Sequence, residues 1–149
     1  MSTWDAHFIE VAKLVSLRSK DPSTKTGCVI TQDNRIVATG YNGFPQGVDD
    51  SPERYADRAL KYRLIVHCDT NAIYQAARSS VSLLGATMYL TGPPCNECSK
   101  GVIQSGIVRV VWPADNPFES DPATMARWKE SIDASFLMLR EANVETVRV

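Results

Sequence analysis

The sequence predicts an α/β domain of three layers, α/β/α, with helices on both faces of one central, mixed, five-stranded sheet. Three observations predict it. From residue 68 onward, stretches with helical spacing of apolar side chains alternate with short apolar runs, the order that builds parallel strands joined by right-handed crossovers. Ahead of them, two short runs meet at Asp33-Asn34 and read as an antiparallel hairpin. At 149 residues the chain is about one domain long and can bury a sizeable core, so residues 1–149 are expected to form a single domain.

Each element has its own signal. Trp4 to Ser19 places Phe8, Ile9, Val11, Ala12, Leu14, Val15 and Leu17 on one wide face of an amphipathic helix. Lys20-Asp21-Pro22-Ser23-Thr24-Lys25 ends it with turn residues. Gly27 to Thr31 and Arg35 to Gly40 are the hairpin strands, and Tyr41 to Gly47 is a glycine-containing loop. The charged stretch Ser51 to Ile65 holds a short helix, roughly Pro52 to Tyr62. Helices follow at Cys68 to Arg78, Asn96 to Gln104 and Thr124 to Glu141. Strands are expected at Thr87 to Leu90, Ile107 to Trp112 and Val144 to Val149. No internal repeat, low-complexity tract or linker interrupts this order.

Composition narrows the function classes. Net charge is −1 and no run of like charges occurs, so the basic footprint of a long nucleic-acid partner is missing. That favours a small substrate. No window approaches about 18 uninterrupted apolar residues, and the N-terminus lacks a basic stretch followed by an apolar one. A chain off the membrane and in the cytoplasm is expected.

The chemistry gathers at two stretches, Val66-His67-Cys68-Asp69-Thr70-Asn71 and Thr91-Gly92-Pro93-Pro94-Cys95-Asn96-Glu97-Cys98. A proline pair followed by two cysteines three apart puts both sulfurs on the first turn of a helix, where proline loses nothing by lacking an N–H. The helix N-terminus favours thiolate, the form that binds metal. His67 opens another helix and can supply a third ligand. Three protein ligands leave the fourth position of zinc open to water, the pattern of a catalytic rather than a structural site. Two disulfides, or a redox C-x-x-C, would also use these cysteines, but neither gives His67 a purpose. A lone His67 would read as a packed core histidine; the two downstream sulfurs make it a ligand. Cys28 and Cys68 read as small packing residues, and His7 has no evident chemical partner.

These stretches resemble the H-x-E and P-C-x-x-C signature of the zinc nucleobase deaminases, in which the Glu shuttles protons. The cysteine half matches fully, and in the histidine half Asp69 stands where the signature has Glu. Along most of its length the chain is similar to the deoxycytidylate (dCMP) deaminases of the cytidine deaminase-like superfamily. Arg18 to Thr24, Gly40 to Gly47 and Asn71-Ala72-Ile73 resemble that family's loops and the residues after its catalytic acid. Cytidine, tRNA adenosine and riboflavin-pathway deaminases share the zinc motifs, and the Tyr-Asn-Gly-x-Pro loop turns the likeness toward dCMP.

The resemblance implies a cytidine deaminase-like fold and Zn2+ held by His67, Cys95 and Cys98. It implies hydrolytic deamination of dCMP to dUMP with release of ammonia, in nucleotide metabolism, with Asp69 in the proton-shuttling place. Asp is shorter than Glu by one methylene, about 1.5 Å of reach, and a misplacement near 1 Å can cost roughly 10²-fold in rate. A shifted backbone, with Cys68 in place of a smaller residue, would restore the distance. A relay water would bridge it. Otherwise the chain is slow or inactive and serves as a nucleotide-binding homologue. Deamination of dCTP, cytidine or another aminated base is the alternative within the enzyme class.

Asn42 resembles the family's sugar-binding asparagine, although a turn asparagine would also account for it. Arg18, Lys20, Ser23, Thr24 and Lys25 are candidates for a 5′-phosphate, or simply a solvated turn. Phe44 and Trp112 are candidate stacking faces for the base. The resemblance further implies a homo-oligomer, commonly a hexamer, with dCTP and dTTP as effectors near Phe44-Pro45-Gln46-Gly47. A second, structural zinc is not expected, because Val48 to Val66 carries no His/Cys cluster.

Overall fold

Apolar side chains alternate along the strands, and the alternation decides which face each helix covers. In the computed structural model, which describes residues 3–149, the order is α1 Trp4–Ser16, β1 Gly27–Gln32, β2 Arg35–Tyr41, α2 Pro52–Ala56, α3 Arg58–Leu64 and α4 Cys68–Arg78. There follow β3 Thr87–Leu90, α5 Asn96–Gln104, β4 Arg109–Trp112, α6 Pro117–Ser120, α7 Pro122–Glu141 and β5 Glu145–Arg148. The five strands form one sheet in the order β2-β1-β3-β4-β5. β1 runs antiparallel to β2 and β3, whereas β3, β4 and β5 are parallel, so the sheet is mixed as expected.

Val29, Tyr89 and Val111 project to one face and bury Phe8, Ile9 and Ala12 of α1. Their neighbours Cys28, Ile30, Met88, Leu90, Val110 and Trp112 project to the other face, against residues of α4, α5 and α7. This is the period of two expected of strands covered on both sides. Among the described residues no helix is long and apolar enough to cross a membrane.

Local chemistry sets the boundaries. Asp33 and Asn34 both take positive φ (52° and 57°), as a two-residue hairpin turn of matching twist requires. Thr3 caps α1 by accepting the Ala6 N–H at 3.1 Å. The helix stops at Ser16, before the expected Ser19. Ser16 Oγ donates to Lys13 O, and Ser19 Oγ instead donates to Asn42 O across the fold. The single helix expected from Pro52 to Tyr62 is two, because Asp57 is extended and caps α3 by accepting the Leu60 N–H. β4 begins at Arg109 rather than Ile107, whose N–H closes the end of α5 on Val102 O. α7 begins at Pro122, with Asp121 as its cap.

Two close approaches fix the helices on the sheet. A Cβ at Gly27 would lie 2.0 Å from Ala12 O of α1, and one at Gly40 only 2.2 Å from Cys68 O of α4. The backbone of β2 thus touches the first turn of α4 directly.

Candidate active site at the starts of two helices

Both α4 and α5 begin on a residue in extended conformation, His67 (ψ 157°) and Cys95 (ψ 172°). Cys95 Sγ takes the capping role usually filled by an oxygen, accepting the Cys98 N–H at 3.5 Å. The parallel order of the sheet brings the two helix starts together. His67 Nδ1 lies 3.5 Å from Cys95 Sγ and 3.4 Å from Cys98 Sγ, although the residues are 28 and 31 apart in sequence.

The three donors fit a zinc ion. Bonds of about 2.3 Å to sulfur and about 2.0 Å to nitrogen, at a tetrahedral angle, put sulfur and nitrogen about 3.5 Å apart. Protonation agrees. A hydrogen bond from Cys98, with help from His67, holds Cys95 far below the ordinary thiol range, at about 4. The Cys98 thiol is pushed well up by the hydrogen-bonded Cys95 thiolate and by burial, since two thiolates would then touch. The hydrogen bond to Cys95 also raises His67. A divalent cation relieves this repulsion, so the donor set calls for one. The soft sulfur pair with one imidazole suits zinc. Thr70 Oγ1 sits 3.4 Å from Cys98 Sγ, and Asn71 Nδ2 donates to Tyr41 O at 2.8 Å, tying α4 to the loop after β2.

Asp69, on the first turn of α4, is 4% exposed. Burial raises its pKa, opposed by Cys98 beside it and by His67. Its Oδ1 accepts the Thr70 N–H at 3.0 Å. Asp69, His67 and Cys95 line one cleft of about 160 Å³.

Asn42 and Thr24 also line this cleft. The Asn42 amide is largely consumed by the protein: Nδ2 donates to Thr24 O at 2.8 Å, and Oδ1 accepts the Thr26 N–H at 2.8 Å. One lone pair of Oδ1 remains. The other expected contacts are not among the cleft-lining residues. Lys20 pairs with Asp50 at 2.9 Å on the surface, Ser23 donates its N–H to Asp21 Oδ1, and Lys25 Nζ donates to Ser19 O. Phe44 stacks on Tyr55, with ring centroids 4.3 Å apart. Trp112 is buried at the end of β4, stacked on Phe136 and donating to Glu119 Oε2 at 2.9 Å. Strand alternation turns its ring into the core rather than toward the cleft.

The aromatic wall comes instead from Phe118 and Trp128, whose rings meet edge to face at 6.1 Å, with Trp128 6.3 Å from the His67 ring. Lys61 of α3 reaches the same cleft, its Nζ 2.8 Å from the buried Asp21 carboxylate. The sequence reading missed Phe118, Trp128 and Lys61. Trp128 and Ile132 stand at helical spacing, which is the signal of a core face as well as of a cleft wall.

A catalytic zinc centre in a mixed α/β sheet defines a class, and comparison with known proteins identifies it. The family model described as the cytidine and deoxycytidylate deaminase zinc-binding region matches residues 2–114. The chain belongs to this family. It is 41% identical over 145 residues to a protein of Aliivibrio fischeri named "Uncharacterized deaminase in luxG 3'region", covering 97% of this chain and 92% of that one. It is 41% identical over 130 residues to the deoxycytidylate deaminase of Homo sapiens, covering 83% and 72%. The dCMP deaminase of cyanophage S-TIM5 in its apo form superimposes with a TM-score of 0.74 at 25% identity, over 97% and 96% of the two chains. The same phage enzyme, solved in complex with dCMP and dUMP, shares the fold with a TM-score of 0.71 at 22% identity, over 96% and 94%. The three-layer fold expected from sequence is therefore that of the cytidine deaminase-like proteins.

Proposed function

We propose that this chain catalyses zinc-dependent hydrolytic deamination of dCMP to dUMP. The observation that carries the reading is the His67–Cys95–Cys98 donor set with the buried Asp69 carboxyl in the same cleft. When bound there, zinc supplies Lewis acidity, bringing ionisation of a water toward neutral pH. The chain's own groups do the rest. Asp69 accepts a proton from water as its oxygen adds to C4 of the cytosine, and delivers it to N3. A second proton passes through Asp69 to the amine; the C4–N bond breaks and ammonia leaves, with C4 now bearing the oxygen. A raised pKa suits a group that must hold a proton between these transfers. Phe118 and Trp128 exclude water beside the base. The free lone pair of Asn42 Oδ1 can accept a hydrogen bond from a sugar hydroxyl.

The reading extends further. Residues 1–149 act as one deaminase domain, supported by the single sheet that joins both halves. The protein works in the cytoplasm, where its four unpaired cysteines stay reduced. It assembles as a homo-oligomer, a reading supported by the large apolar side chains exposed on α1 and at its C-cap, Trp4, Leu14 and Leu17. Control by dCTP and dTTP is carried by the family resemblance alone. The shorter acid at position 69 favours a second reading, a nucleotide-binding homologue with impaired turnover.

Incubating purified, zinc-loaded protein with dCMP separates the two. The expected result is dUMP and ammonia in equal amounts, lost together with the zinc in Cys98→Ala. Stoichiometric zinc and dUMP binding without turnover of dCMP or any other aminated nucleotide would establish the second reading instead.

A further inference from the structure

α7 presents Thr124, Arg127, Trp128 and Ile132 to the cleft, the spacing of one helix face. The next turns of that face lock the helix to α5. Ser131 Oγ accepts the Asn96 N–H at 3.0 Å and donates to Asn96 Oδ1 at 2.8 Å, and Ser135 Oγ bonds to Ser99 Oγ. Because α5 contains Cys98 and is capped by Cys95, these bonds set the position of Arg127 relative to the candidate metal donors. Trp128 marks the metal end by its contact with His67. Thr124, one turn earlier, marks the opposite direction, about 5.4 Å along the axis.

Two cationic side chains line the cleft, Lys61 and Arg127. Lys61 is spent on Asp21. Among the described residues Arg127 has no hydrogen-bonded or ion-paired partner. Of the two acids flanking it in sequence, Glu130, three residues on, forms no ion pair among the described residues. The other, Asp121, directs its Oδ2 to the N–H and hydroxyl of Thr124, at 3.0 and 2.6 Å. Those bonds, helped by the charge of Arg127, hold the Asp121 carboxyl below its ordinary pKa. Under the deaminase reading the base must reach His67, Cys95 and Asp69, so the phosphate is directed away from them, along α7 toward the Thr124 end of the cleft.

We infer that Arg127 is the specificity residue that selects a 5′-phosphorylated substrate, its guanidinium fork taking two phosphate oxygens at the cleft mouth. This rests on the deaminase reading above, and it reaches beyond the family match, which ends at residue 114.

Calorimetric titration of zinc-loaded protein with dUMP and with 2′-deoxyuridine tests it, with dCMP turnover measured alongside. In the wild type dUMP binds more tightly. In Arg127→Gln the dUMP-to-deoxyuridine affinity ratio falls roughly 10–100-fold, the worth of a charge-assisted contact, and Arg127→Lys recovers part of it. Arg127 is exposed, so both variants fold, which zinc content and melting verify. An unchanged ratio in Arg127→Gln, alongside a wild type that turns over dCMP, overturns the role of Arg127 and leaves the deaminase reading intact. A wild type that neither turns over dCMP nor prefers dUMP overturns both.

Discussion

At Asp69, burial acts on the carboxyl to which the proposed function assigns the proton transfers. Burial penalises the charged form, so the folded protein holds the proton to higher pH than a free aspartate would. Asp69→Asn keeps the shape and removes the proton carrier. Turnover should fall by about 10²–10⁴-fold with zinc content unchanged; a rate near wild type would mean that another group moves the protons. Asp69→Glu restores the longer reach and should retain turnover. A loss as deep as that of Asn would show a pocket built around the shorter acid. For Asn42 the sequence left a sugar ligand and a turn residue both open, and the structure gives it features of each. It lines the cleft, while most of its hydrogen-bonding capacity serves the loops of residues 19–26.

Among the elements, α4 and α5 matter because their caps, His67 and Cys95, and Cys98 on the first turn of α5 are the candidate metal donors. What places α4 is Gly40, whose missing side chain lets β2 touch it. In Gly40→Ala the new Cβ meets Cys68 O at 2.2 Å and Ala72 N at 2.5 Å, both backbone atoms that cannot turn aside. The helix must move, at a cost of about 1–3 kcal/mol. A denaturant melt reads that loss, and zinc affinity should fall with it because His67 moves too. Equal stability would mean that the sheet yields instead. Periodicity located both helices to the residue, Cys68–Arg78 and Asn96–Gln104. It misjudged the segment around Asp57, because one extended residue capping a new helix leaves the apolar pattern intact.

Across the whole molecule, the first helix is tied to the middle of the sheet by Asp5 of α1 and Arg109 of β4, 104 positions apart. Two hydrogen bonds of 2.8 and 2.7 Å join them, and Tyr89 adds a third to Asp5. The Arg109 hydrogen bonds pull the Asp5 pKa below its ordinary value. A depressed carboxylate pKa contributes stability that is present above the unfolded value, about 3.9, and is lost as pH falls through the folded one. The stability difference between wild type and Asp5→Asn should therefore be steady near neutral pH, at roughly 1 kcal/mol, and shrink below about pH 4. A difference independent of pH would assign the loss to packing rather than charge.

The sequence by itself determined most of the helices, the five strands, the mixed sheet and the candidate metal donors. Those follow from local spacing: apolar periods, turn residues, and a proline–cysteine pattern at a helix start. Tertiary structure alone decided the rest of the cleft. Whether a tryptophan faces core or substrate depends on which neighbour its strand or helix meets, and no local period records that. Trp112 and Trp128 are both large, apolar and regularly spaced, yet the packing of α7 against α5 gives the cleft to Trp128 and the core to Trp112.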